Sequence, residues 1–289
     1  MARQIESLLQ DGRAAQAFWG VSIYDLDADS LVYRRNPDRG FLPASNQKLF
    51  TTAAALDLLG PTCRYDTAPR CNGTTADSVM RGDLWLQGSG DPTFGSTAQG
   101  RSDPLRAWAE RLADMGVRRI EGRLLGDDEA FRDGFYPDGW NVNYLTRDKG
   151  EQIGVRASGL SYRDNTVPVR VEATRPGASP TVRVLPEGAV TYDNRAVTSP
   201  RWRGSTLLIN RIFSTNRLVL TGSVARSYAG VRNVPVSDPT AFTLRVFRER
   251  LREAGIATAL APVDLDSLDT RPQPGPPRPV PPSPPLSRA

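Results

Sequence analysis

The chain contains no histidine. That absence removes Ser-His-Asp and Cys-His catalysis, every zincin motif and most zinc sites. Cysteine is scarce too, Cys63 and Cys71 alone, so a transition-metal site is not expected; no cofactor is expected either. A catalyst working near neutral pH must then use carboxylates, a tyrosine or a lysine able to give up its proton. Lysine is itself nearly missing: Lys48 and Lys149 stand beside 35 arginines. Arginine is effectively never deprotonated, so a lysine in such a chain marks a place where arginine would not serve. A GC-rich coding bias that left two lysines by chance is the competing account.

No apolar run approaches the roughly 18 residues that span a bilayer. The first twelve residues are too polar for a secretory leader. Either the protein stays inside the cell or a leader is absent from this sequence. The two cysteines lie eight apart around turn residues, and they either bridge a hairpin in an oxidising compartment or remain free thiols.

What is present reads as globular. The 289 residues, 39% hydrophobic and 24% charged, suffice for one large domain or two with a buried core. The net charge of +5 and pI near 9.5 suit anionic surfaces such as a cell wall or membrane. Nucleic acid is not expected as a partner, because the arginines are scattered and no aromatic–basic stacking motif occurs.

Alternation over Phe18–Tyr24 and Ser30–Tyr33 predicts an antiparallel hairpin. Residues 45–59 read as a helix with an apolar stripe of Leu49, Ala53 and Leu56, stopped by Gly60-Pro61. Lys48 and Asp57 are its only charges, which predicts that it is mostly buried. Strand-like runs follow at 82–87, 123–126, 166–172, 181–185, 206–209 and 217–221, with helices at 104–115 and 239–254. Ten of the 24 prolines fall in residues 262–289, which read as a disordered or extended tail.

The sharpest chemical signal is Ser45 with Lys48 at i+3. On a helix these share a face one turn apart, so the amine can reach the hydroxyl. The helix N-terminus and burial both disfavour an ammonium there, which suits a neutral base. Free N–H groups of the first turn can also receive negative charge on an attacked carbonyl. An N-cap serine beside a snorkelling lysine writes the same string, so Ser-x-x-Lys alone is a weak signal.

The surroundings add to it. Leu42-Pro-Ala-Ser-Asn-Gln-Lys48, continuing to Gly60, resembles the active-site helix of the D-alanyl-D-alanine carboxypeptidase/endopeptidase family, the low-molecular-mass class C penicillin-binding proteins. Gly82-Asp-Leu-Trp-Leu-Gln-Gly-Ser-Gly-Asp-Pro-Thr93, Ile120–Asp128, Ala157–Val167 and Val236–Phe242 resemble further family segments in order, so residues 5–256 are covered. The resemblance implies an α+β, multi-domain fold: a partial serine transpeptidase/β-lactamase-like α/β domain split by a large mainly-β insertion. Residues 1–62 and 237–261 would belong to the catalytic domain and 63–236 to the insertion, with a nested subdomain near 170–224. It also implies Ser45 as nucleophile and Lys48 as general base in a ping-pong acyl-enzyme reaction. Peptidoglycan peptides ending in D-Ala-D-Ala would be substrates, β-lactams inhibitors, and the location extracytoplasmic, in periplasm or cell wall.

Departures accompany the likeness. The class needs Ser-x-Asn on a second helix and Lys-Thr-Gly on an edge strand, and no Lys-Thr-Gly occurs here. Ser214-Thr-Asn216 fits Ser-x-Asn only as a string, in a strand context. Trp140-Asn-Val-Asn-Tyr144 offers no match to an acidic residue that grips a diamino-acid side chain in some members. The sequence is therefore expected to be truncated before both motifs and inactive as it stands. A non-catalytic cell-wall-binding or regulatory homologue is the second reading, and an esterase or β-lactamase the third. The oligomeric state is open. Two weaker signals, Gly88-Ser-Gly-Asp-Pro92 as a phosphate loop and Asp127-Asp128 as a metal or acid/base pair, are read as a turn and a solvated strand end.

Overall fold

The computed structural model describes residues 1–96, 103–131, 154–202, 204–258 and 262–268, with 147–148 and 278–279 by backbone alone. Lys149 and the segment 140–144 lie outside the described residues. The chain divides into two compact units, Met1–Arg64 and Tyr65–Ala289.

In the first unit, helix α1 (Ala2–Leu9) precedes the expected hairpin, β1 (Val21–Asp25) and β2 (Ser30–Arg35). The Asp25 carboxylate accepts from the amides of Asp27 and Ala28, and Asp29 takes positive φ to close the turn. Glu6 ties α1 to the hairpin, accepting from Tyr33 Oη and from Arg35 Nη1 at 2.7 Å. Helix α2 (Gln47–Leu59) follows a 3₁₀ turn, Ala44–Asn46, and ends at Gly60 with φ +75°.

The expected burial of α2 is not found. Every one of its residues is exposed, Leu49 at 69%, Phe50 at 67% and Leu56 at 60%. Few charges and an apolar stripe require a partner surface, and the rest of the first unit does not provide one.

The second unit begins with β3 (Ala68–Cys71), β4 (Thr74–Ala76), β5 (Val79–Arg81) and β6 (Leu84–Gln87). Helix α3 (Pro104–Asp114), β7 (Arg119–Ile120) and β8 (Leu124–Asp127) follow. A β-rich run comes next: β9 (Arg147–Asp148), β10 (Thr166–Glu172), β11 (Thr181–Val184), β12 (Thr191–Asn194), β13 (Val197–Thr198), β14 (Leu208–Arg211), β15 (Arg217–Thr221), β16 (Ser223–Val224) and β17 (Ala229–Pro235). Helix α4 (Pro239–Glu253), β18 (Ala257–Thr258), β19 (Val263–Asp264) and β20 (Arg278–Pro279) complete it. The sheet orders are β19-β8-β6-β3-β20, β18-β7-β5-β4, β11-β10-β17, β12-β15-β14-β9 and β13-β16.

Both long helices of this unit start on the same signal. Asp103 and Asp238 cap them, accepting from the amides of Arg106 and Ala241, with proline at the first helical position. Gly116 and Gly255, both at positive φ, follow their ends. Helix α4 buries Phe242, Leu244, Val246, Phe247 and Leu251. It lies so close to β8 that a Cβ on Gly126 would stand 2.5 Å from Thr240 Cγ2. Helix α4 lies in the second unit, where β18 pairs with β7 and β19 with β8.

The proline-rich end also departs from expectation where it is described. Leu265 is buried against Trp85 and Leu125, and β20 pairs antiparallel with β3. Edge strands tolerate proline, because one side of the strand needs no ladder donor.

A polar knot joins α3 and α4. Asp103 accepts from Arg250 Nε at 2.8 Å, Tyr162 Oη at 2.9 Å and the Arg106 amide. Burial alone would raise this carboxyl; the Arg250 and Tyr162 hydrogen bonds and the Arg250 charge outweigh it and hold it below the ordinary value. Its contribution is thus full above the unfolded-state pKa and fades as pH falls through the lower folded one. Asp103→Asn should cost about 3 kcal/mol near neutral pH, as for breaking a mostly buried ion pair. The difference from wild type should shrink in acid, and thermal unfolding of both proteins between pH 7 and 2 checks it. A difference that stays constant would show that the carboxylate charge is not what matters.

Candidate active site

Ser45 sits in the 3₁₀ turn leading into α2 and Lys48 is the second residue of the helix. The backbone is right-handed helical at Pro43, Asn46 and Gln47, while Ala44 takes φ +47°. The turn is closed by the Asn46 amide donating to Pro43 O. This brings Lys48 Nζ to 3.5 Å from Ser45 Oγ, at the outer limit of a hydrogen bond. Nucleophile and base candidates are therefore together, with the first-turn amides beside them. Both side chains are exposed, so the burial that would favour a neutral amine does not come from these residues.

Other candidates resolve into structural roles. In Ser214-Thr-Asn216, Ser214 takes φ +58° at the β14–β15 hairpin. The Asn216 amide oxygen there accepts from Ser237 N at 2.8 Å and Ser237 Oγ at 2.9 Å, which occupies it as a bracket. Gly88–Pro92 is a turn: Gly90 has φ +81°, its amide donates to Gly159 O, and Asp91 accepts from Thr93 N and Oγ1. Asp128 is more than a solvated strand end, since it accepts from Ser158 Oγ and Thr240 Oγ1 and ties the 158 loop to α4. Among the described residues no cluster could hold a metal ion, and both thiols are free, Cys63 exposed and Cys71 buried.

One feature of the second unit escapes a sequence reading. Arg163, Asp164 and Asn165 all take positive φ, near +50°, an uncommon run without glycine. Asn165 holds it, accepting from Tyr162 N and donating to Arg156 O and Ser161 Oγ. Beside it lies an open groove of about 490 Å³ lined by Tyr65, Phe131, Arg156, Ser161 and Asp164 among others. The available signal was a dense polar run between Gly159 and β10.

Residues 1–274 match the D-Ala-D-Ala carboxypeptidase 3 (S13) family. The chain belongs to that family. It is 31% identical over 270 residues to a D-alanyl-D-alanine carboxypeptidase of Actinomadura sp. (strain R39), covering 89% of this chain and 47% of the relative. It is 22% identical over 235 residues to the D-alanyl-D-alanine carboxypeptidase DacB of Haemophilus influenzae, covering 80% and 47%. The chain thus spans about half the length of these curated relatives. Its fold is similar to penicillin binding protein 4 (dacB) from Haemophilus influenzae in a crystal structure, with TM-score 0.71 and 21% identity over 90% of this chain and 55% of that one. A second structure of that protein, complexed with a novel beta-lactam, gives TM-score 0.60 and 20% identity over 83% and 49%. The mixed α/β architecture with several sheets is therefore that of a multi-domain S13 protein. Among the described residues no helix is long and apolar enough to cross a membrane.

Proposed function

We propose that this chain carries the nucleophile and general base of a serine-type D-alanyl-D-alanine carboxypeptidase/endopeptidase that acts outside the cytoplasm on peptidoglycan peptides. The observation that carries the reading is Lys48 Nζ beside Ser45 Oγ at a helix start, in an S13 family chain. Neutral Lys48 takes the proton from Ser45 as Oγ attacks the carbonyl carbon before the terminal D-alanine. The proton that Lys48 took passes to the nitrogen of the leaving group, the peptide bond breaks, D-alanine departs as the free amine, and an ester on Ser45 remains with Lys48 neutral again. Water then cleaves the ester, releasing the shortened peptide and restoring the hydroxyl. Amides of the first helical turn receive the charge on the carbonyl oxygen. No metal or cofactor enters these steps.

β-Lactams would acylate the same oxygen, which gives the test. With the family's Ser-x-Asn and Lys-Thr-Gly elements supplied downstream from a relative, a labelled penicillin should mark one peptide, at Ser45. Ser45→Ala should leave it unmarked, measured by mass spectrometry of a digest. Equal labelling of the alanine variant would refute Ser45 as nucleophile. Residues 1–289 alone lack the Lys-Thr-Gly string, so we expect them to be inactive. A non-catalytic wall-binding role for this chain is the second reading, favoured by that missing string and by the exposure of α2.

A further inference from the structure

Arginine is spread through the chain, but acidic residues are not. Residues 166–236 contain ten arginines and three acids, Glu172, Glu187 and Asp193. They carry +7, more than the +5 of the whole chain, so all the remaining residues together are net negative. Among the described residues of this stretch Arg211 is the one buried arginine.

Backbone pairing concentrates the exposed charges. Arg170 of β10 stands directly opposite Arg183 of β11, on the face that does not bury Val169, Val171, Val182 and Val184. Like charges at opposed positions are destabilising; Glu172 lies 3.7 Å from Arg170, no ion pair among the described residues reaches Arg183, and a bound anion would relieve the repulsion that remains. Past the end of β10, the Ala173 amide donates to Tyr228 O and the Thr174 amide to Thr198 Oγ1. The Arg226 amide donates to Arg201 O at 2.8 Å. The Arg226 guanidinium lies 4.8 Å from the centre of the Trp202 ring, which is 64% exposed. Among the described residues Arg175, Arg183, Arg201, Arg226 and Arg232 form no salt bridge. All five are exposed.

We infer that this β-rich region is a docking surface for a linear phosphodiester polymer of polyol or sugar units. Exposed arginines match phosphate oxygens bidentately, and an indole ring offers a flat face to a sugar or polyol segment. A bilayer fits less well, because the indole is covered on one face by a guanidinium whose charge resists entry into hydrocarbon. Apart from Trp202, the described residues next to it in sequence and across from it (199–201, 204–206 and 225–227) contribute no large apolar side chain. Duplex DNA fits less well too, since the exposed aromatics of the region, Tyr192, Trp202 and Phe213, lie on separate strands and loops and no groove-reading helix is found there among the described residues. The inference does not depend on the chemistry at Ser45.

Poly(glycerol phosphate) is the probe, titrated against the whole 289-residue chain over a range of salt. The paired change Arg201→Gln and Arg226→Gln should weaken binding at least about tenfold and lower the log–log salt slope by about one to two. Trp202→Ala should weaken it about fivefold or more, with Trp202→Phe restoring most of the loss. Arg34→Gln with Arg39→Gln, in the first unit, removes the same charge and should change binding less than about twofold. Equal losses from both pairs would reduce the effect to net charge and overturn the surface. Tighter binding to phosphatidylglycerol vesicles or to duplex DNA than to the polymer would overturn the choice of partner. Circular dichroism of each variant separates lost binding from lost folding.

Discussion

Lys48→Arg is expected to slow β-lactam acylation of Ser45 by at least about 10²-fold, the usual scale for loss of a general base. Arginine keeps the positive charge and can still reach toward the hydroxyl. It has no lone pair to accept a proton, since a guanidinium does not deprotonate in proteins. The substitution therefore separates a fixed-charge role from a base role. The 3.5 Å separation of Nζ and Oγ is long for proton transfer, and such contacts tighten when substrate fills a site. The measurement is the second-order rate with a fluorescent penicillin, on a fusion that adds a relative's Ser-x-Asn and Lys-Thr-Gly segments after residue 289. Near-normal acylation by the arginine variant would make Lys48 structural and remove the base from the scheme above.

The reach of Lys48 to Ser45 was legible before any coordinates, because i,i+3 spacing on a helical turn leaves little freedom. Helices α3 and α4 were legible for a similar reason: Asp-Pro at each start and glycine past each end fix their bounds locally. The hairpin announced itself through alternation and the aspartates of its turn. Burial was harder to foresee. Composition says that α2 needs cover and cannot say what covers it. The strands β19 and β20 were hidden by proline-rich surroundings, since two-residue edge pairings depend on backbone position and leave almost no periodic trace. The left-handed turn at Arg163–Asn165 carries no glycine; contacts of Asn165 with Tyr162, Arg156 and Ser161 select it, and such contacts are not written locally. Packing of α4 on Gly126 belongs to the same class, visible only once β8 and the helix meet.

The largest expected effect concerns residues 1–289 on their own: no measurable D-alanine release and no stable penicillin adduct. In the proposed scheme Ser45 and Lys48 would supply an attacking oxygen and a base, which is part of an acyl-transfer site. The Ser-x-Asn and Lys-Thr-Gly elements orient substrate and hand a proton to the leaving amine in this class, and the one Ser-x-Asn string here is engaged elsewhere, Asn216 with Ser237. Helix α2 reinforces the expectation. Leu49, Phe50, Leu56, Leu58 and Leu59 are between 60% and 79% exposed, so little tertiary packing supports a helix of 13 residues. Its amides should exchange with solvent far faster than those of β6, β8 and α4, whose buried residues pack together in the second unit. Hydrogen exchange by mass spectrometry reads that contrast directly, and it should hold whether or not the reaction occurs. Release of D-alanine from a D-Ala-D-Ala peptide, abolished by Ser45→Ala, would show instead that this chain holds a working site. Stand-ins for the missing motifs would then have to lie within these 289 residues, with the groove beside Asp164 as the first place to substitute.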